Sequence, residues 1–434
     1  MRSNSNSNAS RSREKGKTRR ALTEAAALLL APQRAIPLVT KIASDKWRTT
    51  FESRHLYSYA STTIPTENAL RLLIDWILNA QGRDGGVAAY YSLFTGYSDS
   101  YPEVTGYIIP TLYDYSTTTG DPVPRKAAER ATQWLLSLQM PSGAFPAGLH
   151  APTSDPQPSA FNTGQILQGL VRAHRETHNE TEKAEILDRA QRAGTWLAQI
   201  QQPDGSWIGP AAYQGSAHTY YSMVSWALAQ LAAESNDPRH AAAADRNIDW
   251  VLGQARPTGW IDGINLEGHP IYLHFIAYVI QGTLECGILR HREDAIQVAK
   301  RSAWVLLRKF ETHKRLLGTY EPDFTRGQTF SCLTGNAQMS CVWLRLGEVT
   351  GDLRYLNAAL KINEMLKESL RTKGPEGLSG GVAGSYPIWG AYQPMRFISW
   401  GSKFLADALM LEERLTREVE RKFLTKLEAS ECAS

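Results

Sequence analysis

The sequence predicts an all-α fold, an (α/α)6 toroid of six helical hairpins around one pocket. Three observations predict it: an internal repeat, two kinds of helix in alternation, and long connections confined to one side of that alternation.

The repeat comes first. Asp75-Trp76-Ile77-Leu78 precedes Gln81 and Asp84-Gly85-Gly86, and Gln133-Trp134-Leu135-Leu136 precedes Gln139 and Ser142-Gly143. Thr195-Trp196-Leu197 precedes Gln201 and Asp204-Gly205-Ser206-Trp207, and Asp249-Trp250-Val251-Leu252 precedes Gln254 and Thr258-Gly259-Trp260. Ala303-Trp304-Val305-Leu306 is a copy without the Gln-Gly ending, and Met365-Leu366 fills the sixth slot. A fixed period of roughly 55 to 60 residues marks a repeat architecture.

Each block opens with a helix of Ala, Leu, Arg, Glu and Gln whose charged residues leave one face for water. Asp121-Pro122, Asp237-Pro238 and Asp352 supply start signals for three of these outer helices. Between them lie helices almost free of charge: Thr105 to Tyr115, Thr163 to Ala173, Thr219 to Leu231, Phe275 to Gly287, Thr334 to Leu346 and Phe397 to Leu409. Helices apolar all round are buried, so these form the inner ring. Gly106, Gly164, Gly169, Gly282 and Gly335 allow close contact there. No sustained period-two run marks a strand. The Trp residues of the repeat belong to outer helices and act as core spacers.

Inner-to-outer connections are short, as in Ser116–Asp121. Outer-to-inner connections are long, as in Gln81–Pro102, Met140–Ala160 and Arg371–Met395. Long loops in a compact domain are usually functional. All six open on the rim where the inner helices start, so the pocket is expected there, over helix N-termini that favour anions.

The flanks read differently. Residues 1–20 form a basic arm of disordered composition, and residues 21–65 form a helical lead-in expected to wrap the outer ring. The toroid spans 66–412, and 413–434 is a charged helical tail. Leu411, Leu415, Val419, Leu424 and Leu427 give that tail an apolar stripe expected to pack on the barrel. Arg19-Arg20 before an Ala/Leu run loosely resembles a twin-arginine signal, but Glu24 and Pro32 interrupt it. An ordinary amphipathic helix and a cytoplasmic location are expected instead.

Of 434 residues, 42% are hydrophobic and 21% charged, with a net charge of +4 concentrated in the arm, so nothing in the body suggests a nucleic-acid partner. No apolar run is long enough for an integral membrane segment. Four cysteines without paired spacing argue against a disulfide framework, and no metal site or cofactor is expected. The sequence leaves the oligomeric state undetermined.

The Gln…Asp-Gly-x-Trp ending resembles the repeat of the terpenoid-cyclase and protein-prenyltransferase toroids. Tyr101-Pro-Glu-Val-Thr-Gly-Tyr107, Phe161-Asn-Thr-Gly-Gln165, Cys332-Leu-Thr-Gly-Asn-Ala-Gln338 and Trp400-x-x-Lys403-Phe404 resemble a narrower group. This is a bacterial toroid family encoded beside exopolysaccharide biosynthesis genes. The resemblance covers roughly Glu67 to Glu412. It implies a carbohydrate role and an architecture related to six-hairpin glycosidases, with a polysaccharide or oligosaccharide as partner. The residues themselves weigh against two chemistries of similar folds. No Asp-Asp pair exists for a protonating cyclase, and no Cys adjoins a His for a prenyltransferase zinc site.

The starts of the inner helices supply the candidate site. Glu103, His218, His274, Tyr220 and Tyr278 are the candidate catalytic groups. Tyr107, Asn162, Gln165, Asn336, Gln338, Arg396, Trp400 and Lys403 are the candidate substrate-binding groups. Aromatic faces stack on sugar rings, while amides and hydroxyls pair with their OH groups. Structural alternatives stand beside these. Ser100-x-x-Glu103 has the form of a capping box, Asn162 and Asn336 that of caps or cross-links between inner helices, His218 and His274 that of core histidines, Arg396 that of a loop anchor, and Cys332 that of a buried thiol.

Two reactions fit. Proton abstraction beside a uronate carboxylate, a lyase or epimerase reaction on an acidic exopolysaccharide, would use Asn162 and Arg396 on the carboxylate and the His/Tyr pairs for proton transfer. Glycoside hydrolysis would use Glu103 with one of Asp99, Asp155, Glu267, Glu321 or Asp323. A non-catalytic glycan-binding toroid for polysaccharide assembly is the third reading.

Overall fold

The computed structural model describes residues 23–24, 26–27, 32–51, 64–150, 155–374 and 377–431. The basic arm over 1–20 and Cys432 lie outside the described residues. A lead-in helix, α1 (Ala35–Phe51), precedes the hairpins. The outer helices are α2 (Thr66–Asn79), α4 (Pro122–Leu138), α6 (Glu180–Ile200), α8 (Pro238–Gly253), α10 (Glu293–His313) and α12 (Leu353–Ser369). The inner helices are α3 (Pro102–Thr119), α5 (Ala160–Glu176), α7 (Ser222–Ser235), α9 (Leu273–Leu289), α11 (Leu333–Thr350) and α13 (Ser399–Glu431). Successive inner helices pack side by side, and α13 closes the ring against both α2 and α3. The fold is an α/α toroid.

The repeat motif has a physical purpose. Gln139 donates from Nε2 to Gly143 O of its own turn at 3.0 Å and to Arg189 O of the next outer helix at 2.8 Å. Gln201 does the same to Gly205 O and Ala243 O, and Gln81 to Gly85 O and Ala127 O. Each Gln thus ties its turn to the following hairpin and satisfies a backbone carbonyl that burial would otherwise strand. Glycine is required in the turn. Gly205 has φ +92, and a Cβ there would lie 2.1 Å from Arg246 O.

Inner helices meet more closely than side chains allow. A Cβ on Gly106 would fall 2.4 Å from Ile166 Cα, and one on Gly169 would fall 2.2 Å from Gly106 O. Trp76, Trp134 and Trp196 are buried, as core spacers should be, whereas Trp250 and Trp304 are only half-buried.

Three details differ from expectation. The third inner helix opens with a 3-10 turn, Thr219–Tyr221. The sixth starts at Ser399 because Arg396–Ile398 is drawn into a strand, β5, pairing with β1 (Tyr90–Ser92). Strand β1 also pairs with β2 (Gly96–Tyr97), and β3 (Ser331–Cys332) pairs with β4 (Ser385–Tyr386). These strands are two or three residues long, too short for an alternating pattern to register. Finally, the lead-in reaches the long loops: the Asp45 carboxylate of α1 accepts the Ile388 N–H at 2.8 Å, and Arg34, just before α1, donates to Phe94 O at 3.1 Å.

Helix α13 runs unbroken past residue 412, with Leu415 buried and Arg414 paired to Glu348 of α11 at 2.9 Å. The side chains of Val419, Leu424 and Leu427 lie outside the described residues. Among the described residues no helix is long and apolar enough to cross a membrane.

Candidate functional site

Pro102 at the first position of α3 fixes where the helix starts and leaves Tyr101 extended as the N-cap, with no side-chain cap bond. The capping box is not formed: Ser100 Oγ donates to Asp84 Oδ1 at 3.1 Å instead. That releases Glu103, which turns into a cavity of about 510 Å³ where the inner helices begin.

Inside it, the Tyr101 hydroxyl donates to Glu103 Oε2 at 2.5 Å and is itself hydrogen-bonded to the Asn162 side chain. Asn162 also donates to Pro146 O at 3.1 Å, which anchors the chain of contacts to a long loop. Burial pushes the Glu103 carboxyl up to about 7, only partly offset by the Tyr101 hydrogen bond. Desolvation here outweighs the pull of the α3 dipole.

Across the cavity, His274 and Tyr278 rise one turn apart from the start of α9, with ring centroids 4.1 Å apart. Burial drives His274 down to about 3, so the ring is neutral. Its Nδ1 lies 2.9 Å from Gln338 Oε1, and Gln338 Nε2 donates to Gln281 Oε1 at 2.8 Å. In this arrangement Nδ1 carries the proton and Nε2 is left as an acceptor. The Tyr278 and Tyr107 hydroxyls are hydrogen-bonded to each other. Burial holds the phenols of Tyr101, Tyr107, Tyr220, Tyr278 and Tyr392 above their usual range, so they remain neutral donors.

Seven of the expected site residues therefore line one cavity: Glu103, Tyr107, Asn162, Tyr220, His274, Tyr278 and Trp400. Six do not. His218 is packed behind Tyr220 at 5.0 Å between centroids, its Nε2 2.8 Å from Tyr213 O. Burial lowers its pKa, opposed by the Tyr213 and Asn265 carbonyls, so it joins loops rather than facing the cavity. Gln165 is buried against Gln168. Asn336 donates to Ser331 Oγ and Cys332 O, which ties it to the chain before its helix; it caps no helix N–H. Gln338 stands behind His274. Lys403 is paired with Asp407 at 2.5 Å beneath the Tyr107 and Phe404 rings. Arg396 lies over the Tyr90 ring at 3.9 Å and donates to Gln393 Oε1 at 2.8 Å.

The rim carboxylates are also elsewhere. Asp323 is bound by Arg256 and Thr258, Glu321 by Arg326, and Asp155 by Gln157, while Asp99 and Glu267 are exposed. Cys332 is a buried thiol, pushed up by desolvation to about 12 despite its place at a helix start.

Sequence reasoning missed Tyr101, Phe161, Tyr213, Phe275, Tyr392 and Gln393. Phe161 and Phe275 stand one helical turn from Gln165 and Tyr278, which it did select, so helical spacing would have offered them, whereas Tyr101 lies outside its helix. Tyr392 and Gln393 come from a loop without periodicity, and Tyr392 is placed by the Trp400 indole N–H at 2.8 Å.

A single pocket was expected, but a second cavity of about 520 Å³ lies at the opposite pole. It sits among the C-terminal ends of inner helices and is walled by paired charges such as Arg345 with Glu285 at 2.8 Å. Among the described residues, no group of three or more His, Cys, Asp or Glu is arranged to hold a metal ion.

The fold has known counterparts. An unsaturated glucuronyl hydrolase specific for heparin superposes with a TM-score of 0.65 at 14% identity, covering 81% of this chain and 98% of that one. Cellobiose 2-epimerase from Spirochaeta thermophila gives 0.64 at 14% identity, covering 85% and 99%. The unsaturated glucuronyl hydrolase of Bacillus sp. GL1 gives 0.63 at 15%, covering 81% and 97%. These likenesses show the toroid fold. By sequence, ent-copalyl diphosphate synthase of Streptomyces sp. (strain KO-3988) is 34% identical over 102 residues, which is 24% of this chain and 18% of that protein's length. No protein-family model matches the chain.

Proposed function

We propose that this protein is a saccharide-processing enzyme of the proton-transfer kind, with Glu103 as its acid–base group. The observation that carries the reading is Glu103 itself. It is the one carboxyl in the cavity among the described residues, held by Tyr101 and poised near pH 7, where a group both gives and takes protons efficiently. The work expected of His218 and His274 passes to Glu103. A ring held at about 3 is a hydrogen-bond acceptor rather than a base at neutral pH. The Tyr107–Tyr278 pair offers neutral O–H groups to oxygens that gain charge in the transition state. Aromatic walls and the Asn162 amide suit a sugar, and the fold neighbours include a sugar epimerase and a glucuronyl hydrolase.

Epimerisation beside a sugar carbonyl fits better than two-carboxylate hydrolysis, because none of the five rim acids reaches Glu103's cavity. Elimination needs a uronate carboxylate beside the abstracted proton, and among the described residues no cation lines the cavity to receive one. A second reading draws on the partial match to ent-copalyl diphosphate synthase. A protonated carboxyl among aromatic rings could also protonate an alkene, although among the described residues no cation lines this cavity to hold a diphosphate.

The test offers the protein bacterial exopolysaccharides, their oligosaccharides and prenyl diphosphates. Ultraviolet absorbance of unsaturated sugars, new reducing ends, deuterium uptake from solvent and hydrocarbon products are followed together. Deuterium uptake abolished by Glu103→Gln supports the proposal, and unsaturated products formed from a uronate favour elimination over epimerisation. Turnover of a saccharide that survives Glu103→Gln overturns the assignment of Glu103. Glycan binding without turnover leaves the binding-toroid reading.

A further inference from the structure

The charge of the cavity says which part of a glycan it takes. Among the described residues lining it, Glu103 is the sole acid and no Lys or Arg is present. The groups that line the cavity with Glu103 on each element are uncharged: Tyr107 on α3, Asn162 on α5, Tyr220 on the turn before α7, His274 and Tyr278 on α9, and Trp400 on α13. The two nearby cations are engaged elsewhere. Lys403 is ion-paired with Asp407, and Arg396 stands behind Gln393 against the Tyr90 ring.

We infer that the cavity seats an uncharged sugar unit and rejects a uronate or phosphorylated unit, with Glu103 as the discriminating charge. This rests on the reading of the site as a saccharide site and replaces the acidic unit that the sequence suggested. In a site screened by protein rather than water, a second anion beside an ionised carboxylate meets no compensating charge. Aromatic faces bind the C–H surface of a neutral ring without such a cost. The rejection is switchable. Protonating Glu103 removes the repelling charge, while a uronate keeps its own charge well below that pH. Acidic units of a polymer remain acceptable outside the cavity, where Arg396 and the long loops lie.

The test uses oligosaccharides from uronate-bearing bacterial polysaccharides beside the same molecules after chemical reduction of their carboxyl groups to primary alcohols. Binding is measured by calorimetry and by saturation-transfer NMR with the full chain, its Glu103→Gln variant and its Arg396→Gln variant. The expected result at about pH 8.5 is at least roughly tenfold tighter binding of the reduced form. The preference shrinks at about pH 5.5 and in Glu103→Gln, and survives in Arg396→Gln. Tighter binding of the uronate form, lost in Arg396→Gln, overturns the inference and leaves the saccharide reading standing. So does a preference for the reduced form that is the same at both pH values and in Glu103→Gln. Binding of no glycan in either form overturns both.

Discussion

Tyr101 and Glu103 sit two residues apart, one outside helix α3 and one inside its first turn, and meet at 2.5 Å through the phenol proton. The contact keeps a desolvated carboxyl oriented while leaving it titratable near neutrality. A rate that depends on it should break near pH 7, falling above that pH where Glu103 acts as an acid and rising where it acts as a base. Tyr101→Phe removes the hydrogen bond that favours the ionised form, so the break should move to higher pH. A pH–rate profile of both proteins checks this.

The same groups set the stability profile. Glu103 is raised in the fold relative to its ordinary value of 4.5, so the folded state holds its proton longer. Stability is therefore lost as pH rises from about 4.5 through about 7. His274 is lowered from 6.5 to about 3, so stability is lost as pH falls from 6.5 toward about 3. Thermal melts should peak in mildly acidic buffer. Glu103→Gln should flatten the upper limb, raising Tm at about pH 8 by more than at about pH 5.

Gln338 holds His274 through a buried bond at 2.9 Å. Gln338→Leu strands a buried ring N–H at a cost of about 1–3 kcal/mol. Gln338→Glu keeps an acceptor and places a negative charge beside the ring, which should raise the His274 pKa. Nitrogen-15 NMR of the imidazole reports both the tautomer and the titration. An unchanged His274 titration in Gln338→Glu would contradict this pairing.

Close packing of the inner ring makes glycine substitutions unequal. Gly169→Ala drives a methyl into Gly106 O and should cost about 3 kcal/mol or more. Gly120→Ala, at φ +77 with nothing within 4 Å, should cost only about 1–2 kcal/mol. Denaturant unfolding of the two variants compares them directly.

Gln201→Ala removes the two part-buried bonds it donates to Gly205 O and Ala243 O, together with the exposed pair it accepts from the Arg246 guanidinium, and should cost about 2 kcal/mol. The equivalent change at Gln254, whose turn carbonyl Gly259 O is instead bound by Ser302 Oγ at 2.6 Å, should cost less. Equal losses at both positions would show that the motif serves something other than hairpin docking.

The sequence by itself determined the toroid. A repeat of Gln-Gly endings and an alternation of charged and uncharged helices depend on local spacing, and local spacing survives any rearrangement of distant parts. It also marked the rim, because each inner helix announces its own start, and so Glu103, Asn162, His274 and Tyr278 were legible as candidates. Only the tertiary structure decided among them. His218 and His274 occupy equivalent places in adjacent repeats, yet a loop carbonyl from Tyr213 claims one and the cavity receives the other. Arg396 looked like an anion clamp until strand pairing with Tyr90–Ser92 fixed it behind Gln393. Glu103 looked like a cap until Ser100 turned to Asp84. Side-chain direction, desolvation and the partner that reaches a group first depend on chain segments far away in sequence. No motif encodes them, and in this protein they decide which residues meet in the cavity.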